Sequence, residues 1–378
     1  MVMEKILRSW ANARGWRTKR RLVIFESDDW GAIRMRDPSA LREMQRRGVC
    51  LDSSPYDRLD SLENRADLEM LFDLLEGYRD QTNNRPIFTF NTVMGNPDFE
   101  AIRAGDFAEY SRESLWESYR RYRGQDLQQV WNNAISESLI RPQFHGREHL
   151  NIRVWMEDLR NNYAETRIAF DQDYYGIKRP STSGQRKYLA ANWPVSPEHL
   201  EEIQEIVVDG MVKFEEVFGF PSKTFIPCNY VLPRDLESTL KNNGIELIQG
   251  TRGQLEPTAT GKVSIRRSFT GQRNALGQWY SIRNVMFEPF EDQSKDWVAS
   301  ALAEIGESFF WRKPAIVQTH RVNYVSGMDV GHRDRSLRLL HRLLKSILDT
   351  WPDVEFMSSD QLLEALKSQR LDSEQLDR

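Results

Sequence analysis

The sequence predicts an α/β protein built on a mostly parallel sheet, rolled into a barrel of seven to eight strands. Three observations carry this. Short apolar runs of strand length alternate with helical patterns along the chain, as strand–helix–strand units require. Seven or eight such units can be counted, the number that suggests a barrel. Polar and ionisable residues stand just after the apolar runs, where parallel sheets bind their ligands. Residues 1–370 are expected to form one barrel domain, with insertions at about 163–195 and 251–283 and a polar tail over 371–378.

The first strand is the run Leu22-Val23-Ile24-Phe25, which ends abruptly in Glu26, Ser27, Asp28 and Asp29. Asp37-Pro38-Ser39 opens a helix over 40–47, with proline at its start. A second helix is expected over 62–78 and a second strand over 86–91, ending in Asn91 and Thr92. Residues 97–123 read as irregular to helical; a helix follows over 127–139 and a strand over 141–145. After a helix over 151–161 comes the first insertion, which lacks periodicity and contains Tyr174, Tyr175, Ser181-Thr-Ser-Gly and Trp193; it reads as an excursion over one face, a candidate lid or substrate rim.

Ser196-Pro197 opens a long amphipathic helix to 218. Strands at 223–227 and 245–249 flank a helix over 233–243. The second insertion is turn-rich. Beyond it are expected a strand over 285–288, a helix over 295–310 and a strand over 315–320 that mirrors the first. A helix over 333–350 follows, with Leu337, Leu340, Leu344 and Ile347 facing the sheet. A strand over 354–357 and a helix over 359–367 complete the chain.

The chain has 378 residues, 39% hydrophobic and 29% charged, which fits a globular protein rather than a disordered one. A net charge of −4 gives no electrostatic reason to bind nucleic acid. Two cysteines, Cys50 and Cys228, make no disulfide framework. The start, Met1 to Arg8, lacks the apolar core of a secretory signal, and no run has the length of a membrane span; the expectation is a cytoplasmic protein with no membrane span. Eleven Trp and twelve Tyr offer flat faces of the kind that suit sugar rings.

The strand ends supply the chemistry. Two adjacent acids, Asp28 and Asp29, can divide labour, one binding a metal and the other handling a proton, because a buried carboxylate needs a partner, a metal or water. His145 and His149 are four apart; on a helical turn both imidazoles would reach one metal and, with one carboxylate, leave positions open for water and substrate. Zinc suits such a set in a hydrolase, and an iron oxygenase could use the same triad. A lone pair at this spacing is more often two histidines on a solvated face. His320, at a strand's end, fits a general acid. Cys228 reads as packing or site wall rather than a nucleophile.

Taken together, these residues resemble the polysaccharide deacetylases, carbohydrate esterase family four of the glycoside hydrolase/deacetylase superfamily. Ser27-Asp28-Asp29-Trp30-Gly31 looks like the family's Thr-Phe-Asp-Asp-Gly. His145 to His149 matches the spacing of its His-(Ser/Thr)-x-x-His, the region of Pro227 partly matches its Arg-x-Pro-Tyr, and Gln318-Thr319-His320 looks like its Leu-x-His. The resemblance implies a distorted (β/α) barrel, a divalent metal, usually zinc, and hydrolysis of an N- or O-acetyl group from a sugar. By position Asp29, His145 and His149 would hold the metal, Asp28 would be the base and His320 the acid. A backbone N–H near Cys228 would meet the oxyanion, with Asn229, Tyr230, Trp30 and Arg252 as further substrate or oxyanion residues. The chain departs from the family where Trp30 intervenes before Gly31, where Phe225 stands in place of the Arg that pairs with the base, and where Cys228 replaces the Tyr. Arg252 and Arg321 are the candidates to replace that Arg. The Asp-rich segment that orients the family's catalytic His is not recognisable after Gln249.

Two other readings compete. A metal-independent glycosidase of the same barrel superfamily would need two carboxylates flanking the scissile bond, for which Glu26, Asp28 and Glu148 are available. A non-catalytic carbohydrate-binding protein would need only the cleft.

Overall fold

Among the described residues, nine strands form one sheet in which every pairing is parallel. They are β1 (Arg21–Trp30), β2 (Phe88–Val93), β3 (Ile140–Gly146), β4 (Thr224–Phe225), β5 (Leu247–Gly250), β6 (Trp279–Ile282), β7 (Val285–Met286), β8 (Ala315–His320) and β9 (Val354–Phe356). The spatial order is β6-β5-β4-β3-β2-β1-β8-β7, and β9 joins the start of β1, Arg21–Val23 against Val354–Phe356. This computed structural model describes residues 14–51, 54–178 and 188–376. The expected N-terminal segment before Arg14 and the Ser181-Thr-Ser-Gly stretch lie outside the described residues.

The sheet is curled. Five strand spacings separate β1 from β6, about 24 Å in a flat sheet. Yet Ser281 Oγ on β6 is 3.4 Å from Glu26 Oε1 on β1, and Asn91 on β2 bonds Gln249 on β5 at 3.0 Å. The edges β6 and β7 follow each other in the chain but do not pair, so the barrel is distorted and open there.

Alternation along β1 explains both its stability and its chemistry. Val23 and Phe25 face an outer core with Leu71, Trp131, Ala301 and Leu340, contributed by the helices Arg65–Glu76, Gln128–Ser136, Trp297–Phe310 and Val330–Thr350. Leu22 and Ile24 face inward, meeting Leu247, Trp279 and Ile316, and Leu362, Leu363 and Leu366 of the last helix close this floor. Glu26 and Asp28 continue the same inward row, so the interior turns from apolar to charged toward the strands' carboxyl ends. Inward Thr89 and Asn91 on β2 repeat the gradient, as do Gln318 and His320 on β8.

Several expectations are corrected. The segment 97–123 holds a two-stranded piece (Gly95–Pro97 with Arg112–Ser114) and two helices, Phe99–Ala104 and Leu115–Arg123. The first insertion contains the helix Ala164–Phe170. The second contains a hairpin, Gln254–Pro257 with Val263–Arg266, and then β6, a strand of the main sheet that was not expected. The helix Ser359–Leu376 runs on past the boundary expected at residue 370. No helix of the described residues is long and apolar enough to cross a membrane.

Candidate functional site

At the carboxyl ends of the strands lies a cavity of about 450 Å³, lined among others by Asp28, Asp29, His145, His149, Tyr230 and His320. Consecutive residues of a regular strand point to opposite faces, so Asp28 and Asp29 should diverge. A bulge brings them together: β1 takes three steps from Ser27 to Trp30 while β2 takes two, from Phe90 to Thr92. Asp29 absorbs the turn with φ of 74°, a left-handed conformation that costs an L-residue energy and is characteristic of functional sites.

Asp28 is held as an anion. Arg283, which follows β6, donates from Nη1 to Oδ2 (2.7 Å) and from Nη2 to Oδ1 (2.6 Å), and Asn91 Nδ2 donates to Oδ1 at 2.7 Å. Burial alone would raise this carboxyl; the Arg283 charge and hydrogen bonds outweigh it and hold it below the ordinary range. The same guanidinium donates to Glu26 Oε2 at 2.8 Å and to the Tyr230 hydroxyl at 3.0 Å. Arg283 therefore fills the place left by Phe225. Neither expected replacement does so. Arg321 is buried against Asp60 and Glu63, and Arg252 lines a separate small recess with Arg14, Ser268 and Lys313.

His320 is the register partner of Asp28 on β8, and its Nε2 is 3.6 Å from Asp28 Oδ2. Its Nδ1 faces Glu288 Oε1 at 2.5 Å, and Glu288 Oε2 accepts from Asn323 at 2.8 Å. Burial pulls the imidazole down, but the Glu288 charge and hydrogen bond, then Asp28 and Asp29, prevail and raise it to about 9. Glu288 thus orients this histidine, the task for which no segment was recognisable in the sequence.

His145 sits on β3, and His149 lies in the loop after it rather than on a helical turn as expected. The chain doubles back at Gly146, whose φ of 133° suits glycine, and the two rings approach to 5.1 Å between centroids. Asp29 Oδ1 is 3.4 Å from both Nε2 atoms. Ligand atoms held at 2.0–2.1 Å by one tetrahedral ion stand about 3.3–3.4 Å apart, so this spacing fits a shared divalent cation. His145 Nδ1 is fixed by the Ile226 carbonyl at 2.8 Å, which turns Nε2 toward Asp29, and that buried Nε2 has no hydrogen-bond partner among the described residues. Burial, against the pull of Asp29, drops His149 to about 3, leaving a neutral imidazole able to coordinate.

Cys228 also lies within 4.8 Å of the two histidines by ligand atoms. Its thiol donates to the His145 carbonyl at 3.1 Å, and burial with nearby Asp29 pushes its pKa well up. Asp29, held well below the carboxylate range chiefly by Arg34 and His149 against its burial, needs to lose no proton, so it completes the set better.

Of the other expected site residues, Asn229 and Tyr230 line the cavity, both with left-handed φ (53° and 54°) in the loop after β4. Trp30 does not. It is buried in the outer core, stacked on Phe90 at 3.6 Å between centroids, with Nε1 bonded to Ser27 Oγ. Cys228 lies behind the wall. Of the aromatics in the first insertion, Tyr174 reaches the cavity, while Tyr175 and Trp193 pack into cores. Arg34 was missed: it lines the cavity, and its Nη2 is 3.2 Å from Asp29 Oδ1.

No family model matches the chain, and no curated protein does. Among solved structures, it is similar to 4-alpha-glucanotransferase from Thermococcus litoralis (10% identity, TM-score 0.45, 92% of this chain and 40% of that one). It is similar to peptidoglycan deacetylase PdaC from Bacillus subtilis (10% identity, TM-score 0.37, 94% and 95%) and to PuuE allantoinase (9% identity, TM-score 0.45, 92% and 90%). The chain spans about 40% of the glucanotransferase's length. The side chains of the site, not these likenesses, carry the functional reading.

Proposed function

We propose that the protein is a metal-dependent hydrolase that removes an acetyl group from an N- or O-acetylated sugar. The observation that carries this reading is the single carboxylate oxygen of Asp29 placed 3.4 Å from two imidazole nitrogens, beside an acid–base pair. Asp29, His145 and His149 would hold a divalent cation, with zinc the best match to the N/O donor set. Such a cation, when bound, lowers the pKa of water and polarises the acyl oxygen.

The protein's own groups supply the rest. Asp28 is ionised and takes the proton as the water oxygen bonds to the acyl carbon. Its three hydrogen bonds make it a weak base, so it relies on a water already made acidic. His320, protonated to about 9, delivers a proton from Nε2 as the bond from acyl carbon to sugar nitrogen or oxygen breaks. Acetate and a free amine or hydroxyl leave. Asp28 and His320 face each other at 3.6 Å, so the proton taken by one and the proton given by the other serve one reacting centre. Tyr56 and Tyr174 line the cavity, where an aromatic wall suits a sugar.

The glycosidase reading fares worse. Glu26 is consumed by Arg283 and Ser359, and Glu148 by both hydrogen bonds from Arg147, and neither lines the cavity; the carboxylates that do, besides Asp28, are Asp29 next to it and Asp57, which accepts from the Tyr174 hydroxyl. The test is acetate release from a panel of N- and O-acetylated sugars by zinc-loaded protein and its Asp28→Asn variant. Release by the parent alone supports the proposal; release of sugar instead of acetate, or none, counts against it.

A further inference from the structure

We propose that Arg34 is a catalytic residue that hydrogen-bonds the acyl oxygen as it becomes an oxyanion, and holds the acetate product. This rests on the deacetylase reading above. The family pattern assigns that oxygen to the metal and a backbone amide near Cys228; the Tyr230 and Val231 amides of this loop are already bonded to the Pro227 and Cys228 carbonyls, and Arg34 would supply a side-chain donor in addition to the amide at Cys228.

Arg34 has the properties of a preformed donor. It is 6% exposed, lines the cavity, and is fixed between Asp29 (Nη2 to Oδ1, 3.2 Å) and Asp60 (Nε to Oδ2, 3.4 Å). Yet its Nη1 has no hydrogen-bond partner among the described residues, and its Nε has only the long ion pair with Asp60. A buried donor left unmade costs about 1–3 kcal/mol, more for a charged group, so a structure that keeps one beside its cavity is short of an acceptor. A counter-ion for Asp29 explains the charge; it does not explain the idle Nη1. An arginine keeps its charge at any working pH, and its planar fork matches the two oxygens of acetate. Because Nη2 touches the proposed metal ligand itself, an oxygen bound there sits at the reacting centre and not at a remote subsite. Donors placed where charge develops typically contribute about 10²–10³ in kcat.

The experiment is calorimetric titration of acetate into the whole protein, zinc-loaded and chelator-treated, for the parent, Arg34→Gln and Arg34→Lys, with zinc content measured in each. The expected result is acetate affinity lower by about tenfold or more in Arg34→Gln, the loss of a charge-assisted hydrogen bond, with partial recovery in Arg34→Lys. Equal acetate affinity in parent and Arg34→Gln, in whichever zinc state is compared, overturns the proposal. If Arg34→Gln does not fold, Arg34→Lys decides: affinity equal to the parent refutes the assignment of the fork. A parent that takes up no zinc yet loses acetate affinity on Arg34→Gln would sink the metal reading and leave this one standing.

Discussion

Replacing Glu288 by Gln tests the acid assigned to this site. Glu288 is fully buried, and the substitution keeps its size and an acceptor for Asn323 while removing the charge beside His320. His320 is raised from 6.5 to about 9 against the downward pull of burial. That rise is worth roughly 3 kcal/mol at about 1.4 kcal/mol per unit. Since the protonated ring is the donor, activity is lost as pH rises through its pKa. A bound divalent cation lowers the limb of both proteins, so the zinc-loaded parent's kcat/KM should hold to an alkaline limb somewhat below 9, and Glu288→Gln should bring that limb lower by about 2.5 pH units or more, because burial then acts with only Asp28 and Asp29 opposing it. The assay is acetate release from pH 5 to 10 by zinc-loaded parent and variant. Limbs that coincide, or a variant uniformly slower at every pH, would refute the reasoning.

Arg283→Gln strands two buried carboxylates, Glu26 and Asp28, and should destabilise the protein by about 3–5 kcal/mol in urea unfolding; a loss under about 1 kcal/mol would mean that Asn91 and Ser359 suffice. Trp30→Ala should cost about 3–5 kcal/mol through the cavity left beside Phe90, whereas Trp30→Phe should keep kcat/KM near the parent's, because the indole does not reach the cavity. His149 is depressed to about 3, so the unfolded chain binds more protons than the folded one between that value and 6.5. Stability of the metal-free protein should therefore fall as pH drops through this window, and His149→Gln should flatten the slope measured by urea unfolding.

The strand ends were legible where apolar runs were unbroken and ended in charge. The run 22–25 announced β1 and its acids, and 315–320 announced β8 and His320, because a buried strand that breaks into ionisable residues must bring each of them to a partner, a metal or water. What escaped was short or non-local. β6 is only Trp-Tyr-Ser-Ile, set among turn residues after Gly277, and nothing local says that Ile282 ends beside Asp28; hence the residue that pairs with the base was sought at Arg252 and Arg321 rather than at Arg283. The helix Ala164–Phe170 begins at Tyr163 with no side-chain cap, so it gave no start signal. The bulge at Asp28–Asp29 exists only through pairing with β2, and Trp30, next to two site acids in sequence, is turned into the core by that same bulge. Glu288 was visible as the end of an expected strand, but its partnership with His320 follows from the pairing of β7 with β8.

The measurement that bears most directly on the central claim is zinc stoichiometry, by elemental analysis after dialysis against zinc, of the parent and an Asp29→Ala/His145→Ala double variant. The account predicts about one ion per chain in the parent and almost none in a variant that is otherwise folded. Equal zinc in both proteins, or none in either, would contradict it.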